Sequence, residues 1–458
     1  MNDLFPISKF QADSRPPDSV VCYENLYSDN VYLKWSDFLE GTARLRTAIK
    51  KNGSSKCLLH IEDCWHFLLA LTALLQCKKE VLLTANISPS YLSEILEDGT
   101  PLISDQNVKG ALQVSDLLKS EKDESDFPKI IAEESTIVLY TSGTTGKPKI
   151  VRKRLSELER DNAYILSKWQ SEYDKRKLVS TVSQHHIYGL LYAIMLPFTA
   201  GTPFRRTRLI YPQEFEKLER DSYMIITVPA FLKRTVDLYD VPLPLQDPYI
   251  WTSGGEVDFE IAKKANHILK AWPFEGYGST ETFGIGWRIS KNGMDWIPYG
   301  NVQISKNKEG CLVVRSPYIL EADGFATGDL VDIHSNGHFT LLGRADSIVK
   351  IEEKRISLTE VEARITQSNL VSDVCVVALE DSRQYLAAAI VFNQAGKEKF
   401  KTAEKMEINR YFTEYLLQFF ESIIVPKKWR FIDEMPMDIQ GKKKKLDIEA
   451  LFKSGVNK

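Results

Sequence analysis

Cysteine is scarce and carries no pattern: six residues in 458, at positions 22, 57, 64, 77, 311 and 375, include no Cys-x-x-Cys pair and no metal-type grouping. Reduced, mostly buried thiols are the expectation. Excess charge is lacking as well. With 59 basic and 62 acidic residues the formal net charge is −3, which argues against nucleic acid as the main partner. Long hydrophobic runs are missing: the longest, near Phe67–Leu75, is far short of the roughly 20 residues a membrane span needs. Met1 to Phe10 lacks the basic and apolar regions of a signal peptide. These absences predict a soluble, cytoplasmic protein. Hydrophobic content of 43% and charged content of 26% are those of an ordinary globular enzyme, and the length calls for at least two domains.

One stretch stands out against this background. Ile137-Val-Leu-Tyr140 reads as a buried strand and runs into Thr141-Ser142-Gly143-Thr144-Thr145-Gly146-Lys147-Pro148-Lys149. Two glycines let the backbone approach a ligand, while successive N–H groups, four hydroxyls and two lysines converge on an anion, which at this density means phosphate. Ile150-Val151 resumes an extended pattern, so the loop is expected to join two strands. A Walker loop needs four residues between its glycines; here there are two, and Pro148 follows the lysine. A dinucleotide fingerprint needs a third glycine at a helix start, and none is present.

Around the loop, strand and helix signals alternate. A helical pattern places Phe38, Leu45 and Ile49 inward and ends near Gly53. Cys57–Ile61 and Val81–Leu83 read as strands flanking a buried helix at Trp65–Leu75, a doubly wound α/β arrangement. Tyr91–Leu96 reads as a helix, Leu102–Ser104 as a strand and Lys119–Asp126 as a surface linker. Leu155, Leu158, Asn162, Ile165, Leu166 and Trp169 share a helical face. Leu178–Val182, Met224–Val228 and the strand from Ile250 follow, the last ending in a paired-glycine turn at Gly254. His60 and His267 read as structural histidines.

Taken in order, the motifs resemble those of the adenylate-forming superfamily: acyl-CoA synthetases, aryl-CoA ligases and adenylation domains. The loop at Thr141–Lys149 is similar to the family's phosphate loop. Gly276-Tyr277-Gly278-Ser279-Thr280-Glu281 resembles its Tyr-Gly-x-Thr-Glu segment. There Tyr277 offers a flat face to adenine, the glycines let the backbone approach, Thr280 bonds the α-phosphate, and Glu281 gives Mg²⁺ a hard oxygen. Gly254 joins this nucleotide-binding set. The resemblance places Asp329 of Thr327-Gly-Asp and Arg344 on the ribose hydroxyls. His186-Ile-Tyr-Gly is similar to the segment beside the acyl pocket, although the adjacent His185 leaves the register open.

The same resemblance implies a large multi-sheet α/β domain over residues 1–346, hinged at Asp346 to a small mobile α+β domain over 347–458. In the small domain Ile348–Ile351 reads as a strand and Ser357-Leu-Thr-Glu360 as a capping box. Val374–Ala378 and Leu386–Phe392 read as a hairpin, and Tyr411–Phe420 as a helix. Gly441-Lys442 is similar to the family's Gly-Lys signature, whose lysine enters the site during adenylation. Lys443 is the alternative if the register slips. One departure is visible: Glu353 stands where the family's Lys-x-x-Gly-x-Arg-Ile loop has glycine.

The implied activity is activation of a carboxylic acid by Mg·ATP to an acyl-adenylate with release of pyrophosphate, then transfer to a pantetheine thiol, either CoA or an acyl carrier protein. Lys442, Glu281, Thr141 and His186 are the implied catalytic residues. The aromatic-rich pocket segments His185–Leu190, Val228–Phe231, Ser253–Glu256 and Thr282–Trp287 suit an aryl or short to medium acyl acid. A nucleotide sensor or ATP hydrolase is the rival class.

Overall fold

The computed structural model describes residues 4–25, 30–124, 127–141, 149–319, 321–345, 348–351, 354–380, 384–437 and 443–453. Contacts divide the chain into two compact units. One is Met1–Ile304 with Val314–Phe325 and Ser335–Phe339; the other is Ser305–Val313 with Ala326–His334 and Thr340–Lys458.

The first unit is built on two sheets. Six strands lie in the order Leu112–Gln113, Leu102–Ser104, Lys56–His60, Glu80–Leu83, Thr136–Thr141 and Lys149–Arg154. Neighbours are parallel until the last pair, which is antiparallel. Leu58, Leu59, Val81, Leu83, Ile137 and Val138 are fully buried, as continuous apolar strands covered on both faces must be. The helix Trp35–Lys50 buries Phe38, Leu45 and Ile49 as its spacing predicts, and Asp63 caps Cys64–Gln76 by accepting from the His66 N–H at 2.9 Å. The stretch read as a surface linker is anchored within its described part. Asp123 accepts from Arg46 at 2.6 Å and Lys50 at 2.7 Å, long-range partners that no local pattern announces.

Nine strands form the second sheet, from Ile297–Pro298 through Phe283–Arg288, Phe274–Ser279, Gln246–Ser253, Ser222–Thr227, Lys177–Ser180, Phe204–Arg205 and Val20–Glu24 to Val31–Lys34. Its central strands are parallel, and an antiparallel hairpin of Phe274–Ser279 with Phe283–Arg288 lies towards one edge. The helix Leu155–Asp174 buries Leu155, Leu158, Asn162, Ile165 and Leu166, and lays Trp169 edge-on against Trp251, 5.5 Å between centroids.

In the second unit, Val371–Glu380, Gln384–Phe392 and Lys428–Phe431 form a sheet against the helices Leu358–Thr366 and Lys405–Leu416. Val361, Ile365, Leu386, Ile390, Phe412 and Trp429 make its core. Ser357 caps the first of these helices by accepting from the Glu360 N–H at 3.2 Å. The helix Lys445–Lys453 buries Ile448 and Phe452 with Cys375, Val377 and Ala389. A large multi-sheet α/β domain with a smaller α+β one is the expected class. No helix among the described residues is long and apolar enough to cross a membrane.

Candidate active site

The second motif is the hairpin near the edge of the nine-stranded sheet, and its glycines have steric causes. A Cβ on Gly278 would stand 2.0 Å from the Phe283 carbonyl oxygen, so no side chain fits where the two strands close. The turn Thr280–Thr282 is clasped at its base: the Ser279 N–H donates to Thr282 Oγ1 and the Thr282 N–H to Ser279 Oγ, both at 3.2 Å. Phe283 takes φ +58°, a left-handed conformation uncommon for a bulky residue, and the clasp holds it there. Tyr277 is half-buried, its ring 5.4 Å from Trp296 and 5.8 Å from Phe339. Thr280 and Glu281 are half-buried at the turn. Gly254, φ +90°, turns the chain at the end of Gln246–Ser253.

The first motif converges on the same turn. Thr141 ends one strand and pairs across the ladder with Lys149, which begins the next. The loop therefore joins two antiparallel strands, as its flanks predict; Ser142 to Pro148, with Gly143, Thr144, Thr145, Gly146 and Lys147, lie outside the described residues. Lys149 is ion-paired to the Glu281 carboxylate. Burial pushes that carboxyl up, but the Lys149 hydrogen bond and charge, with Ser279 and the residue's own N–H, hold it below the ordinary range. Glu281 is thus ionised and paired with the first residue of the strand Lys149–Arg154.

Two residues of this arrangement escape sequence reading. Lys153 is buried, donates to the Glu281 carbonyl oxygen at 2.7 Å, and lies 4.3 Å from the Phe283 ring centroid. Burial lowers its pKa. The alternation of Lys149–Arg154 carries a signal: Val151 and Lys153 are the inward positions, so a lysine points where an apolar residue is expected. Asp161 is fully buried, with the Gly284 N–H against its carboxylate, and burial raises its pKa to about 7.

Asp329 and Arg344 meet within the second unit, Arg344 donating through Nη1 to Asp329 Oδ1 at 3.3 Å. Gly328 makes room, since a Cβ there would be 2.7 Å from Arg344 Nη2. His186 is half-buried at the start of a short helix over Ile187–Gly189, whereas His185 is buried. His185 stacks on His60 at 4.1 Å, accepts from the Ile61 N–H at 3.0 Å, and is held neutral first by burial and then by its histidine neighbours. His60 also contacts the Thr84 carbonyl at 2.9 Å, in keeping with a structural role. Lys442 lies outside the described residues, as do Asp346 and Glu353. Lys443 is described: it donates to the Val374 carbonyl at 2.6 Å and to Asp373 at 2.9 Å.

Residues 11–302 match the AMP-binding enzyme family and residues 360–442 the AMP-binding enzyme C-terminal domain. The chain belongs to the AMP-binding enzyme family. It is similar to 4-coumarate–CoA ligase of Cereibacter sphaeroides, 26% identical over 278 residues, 60% of this chain and 64% of the relative. It is also similar to a probable CoA ligase of Humulus lupulus, 23% identical over 386 residues, 70% of this chain and 63% of the relative. These matches span just under two thirds of the curated relatives' own lengths. Among solved structures, ATP-bound MatB from Rhodopseudomonas palustris superposes with a TM-score of 0.78 at 15% identity, over 97% of this chain and 99% of that one. The o-succinylbenzoate-CoA synthetase of Bacillus subtilis with its acyl-adenylate superposes equally, 0.78 at 18% identity and 96% of each chain. At these identities the likeness is one of fold.

Proposed function

We propose that this AMP-binding enzyme activates a small carboxylic acid with ATP, releasing pyrophosphate, and passes the acyl group from the adenylate to a pantetheine thiol. The observation that carries the reading is the meeting of the two motifs at Glu281, where Lys149 from the loop's end pairs with the carboxylate of the turn. Bringing a carboxylate onto a triphosphate opposes like charges, so catalysis is mainly charge neutralisation and alignment.

In this reading Thr141 and the loop to Lys147 cradle phosphate, Gly276, Gly278 and Gly254 let backbone approach the nucleotide, and Tyr277 supports adenine. Thr280 contacts the α-phosphate, and Asp329 with Arg344 takes the ribose hydroxyls. An ionised, half-buried carboxylate suits a hard cation, so Glu281 would hold Mg²⁺, which when bound neutralises phosphate charge. Lys442 supplies a positive charge for adenylation. The anchoring of Lys443 on Asp373 and Val374 supports that assignment over the alternative register. His186 borders the acyl site. Residues 1–346 are assigned to adenylation and 347–458 to the lid, with CoA or a carrier protein as acceptor in the cytoplasm.

Pyrophosphate release across a panel of aryl and short to medium acyl acids tests the reading. Acid-dependent formation of AMP and pyrophosphate is expected; acid-independent release of ADP or phosphate would assign a hydrolase instead.

A further inference from the structure

His186 lies between two buried tethers that reach different sheets of the first unit. On its N-terminal side stand Gln184 and His185, both buried. Gln184 Nε2 donates to the Ile61 carbonyl and, at 3.0 Å, to the Glu62 carbonyl, while Gln184 Oε1 accepts from Cys64 Sγ at 3.8 Å. His185 Nε2 accepts from the Ile61 N–H at 3.0 Å. The ring proton is therefore on Nδ1, which donates to Ser183 Oγ at 2.9 Å. Ile61 and Glu62 lie just beyond the strand Lys56–His60, where the ladder stops, and these two side chains take up their backbone groups. On the C-terminal side, the Tyr188 hydroxyl shares its proton between the Thr227 and Trp251 carbonyls, at 3.1 and 2.9 Å, on two neighbouring strands of the nine-stranded sheet.

The stretch between the tethers is tightly folded. A Cβ on Gly189 would stand 2.0 Å from the Ser183 carbonyl oxygen, and the His186 N–H donates to that same carbonyl at 3.3 Å. Both tethers end at or near the carboxyl ends of parallel strands, the edge of an open α/β sheet at which ligands bind. Packing alone asks only for bulk, which two apolar side chains would supply. Directional bonds to the Ile61 N–H and to the Ile61 and Glu62 carbonyls do more, because a fully satisfied buried network fixes one arrangement of the chain entering His186.

We propose that Gln184, His185 and Tyr188 are positioning residues, which hold His186 in place from two sheets and act on the acid through it. This rests on the reading that His186 borders the acyl site, and deepens it. A misplacement of about 1 Å in a group that positions substrate costs on the order of a hundredfold. Loss of one tether is therefore felt in acid binding and not in stability alone.

The test is ATP–pyrophosphate exchange with the fastest acid among benzoate, cinnamate and the straight-chain acids from acetate to octanoate. Gln184→Met keeps the bulk and loses both donations. His185→Phe keeps a ring against His60 and loses the acceptor, and Tyr188→Phe loses only the hydroxyl. Each should raise KM for the acid at least about tenfold and leave KM for ATP within about twofold. In a His186→Ala background none of the three should raise it further. Folded variants with an unmoved acid KM, whatever their melting temperatures, would overturn the assignment and mean the tethers serve packing alone. Equal rises for acid and ATP, or rises that persist in the His186→Ala background, would overturn it too. Variants at three separate anchors keep the test decisive where one of them fails to fold. Exchange by the intact enzyme with no acid present would instead overturn the acid-activating reading on which the proposal rests.

Discussion

The ammonium of Lys153 donates to the main-chain carbonyl of Glu281 at 2.7 Å and lies against the Phe283 ring, so one buried cation braces both sides of the turn that presents the proposed metal ligand. Lys149 takes the side-chain carboxylate of the same residue. The strand Lys149–Arg154 thus fixes Glu281 twice, through backbone and through side chain.

Removing the brace has a kinetic consequence. Lys153→Met keeps the bulk but loses the charge, and a hydrogen bond from a charged donor contributes about 1.5–3 kcal/mol. Adenylation should fall by roughly ten- to a hundredfold, with more Mg²⁺ needed for half-maximal rate, and Lys153→Arg should recover part of it. An unchanged Mg²⁺ dependence would separate Lys153 from the positioning of Glu281.

Glu281→Gln removes the carboxylate charge but keeps the shape. Loss of one preorganised electrostatic group predicts a drop of roughly two to three orders of magnitude in acid-dependent exchange. Because the Lys149 partner is half-exposed, melting temperature should move little. A large melting shift with a small rate effect would make Glu281 structural.

Asp161 ties stability to pH. Its pKa rises from 3.8 to about 7, chiefly by burial. Between those values the folded protein holds a proton that the unfolded chain has released, so stability falls as pH rises through the window and levels off above it. Asp161→Asn cannot ionise, and should flatten this slope and gain on the order of a few kcal/mol relative to the native chain at pH 8. Denaturant midpoints at pH 5 and pH 8 decide it: identical slopes in the two proteins would contradict a proton held on Asp161.

Elements with strong local signals were legible in the sequence. The strand–loop–strand reading at Thr141 and Lys149 follows from β-forming flanks and glycine, and the ladder pairs those two residues. The helix at Trp35–Lys50 and the Ser357 cap were readable for the same reason. What stayed hidden depends on distant partners. Asp123 looks like linker charge until Arg46 and Lys50 reach it, and Lys153 looks like a surface lysine until the hairpin 128 residues on supplies a carbonyl. The histidine pair is instructive too. Only the fold shows that His185 is spent on the Ile61 N–H and the His60 ring, leaving His186 as the half-buried neighbour.

The two lysine registers separate cleanly. Lys443→Ala would leave Asp373 and the Val374 carbonyl without their cation, so it should lower the melting temperature by several degrees. Lys442→Ala should leave melting unchanged and cut adenylation by roughly two to three orders of magnitude, while thiol transfer from supplied acyl-adenylate persists. A crippled adenylation rate with unchanged melting in Lys443→Ala would reverse the assignment.

The most direct test of acid activation is the exchange of labelled pyrophosphate into ATP by the intact enzyme, with and without a carboxylic acid. The account predicts exchange only when acid is present, with AMP as the sole adenine product once a thiol acceptor is added. Label incorporation independent of acid, or ADP as the product, would contradict it.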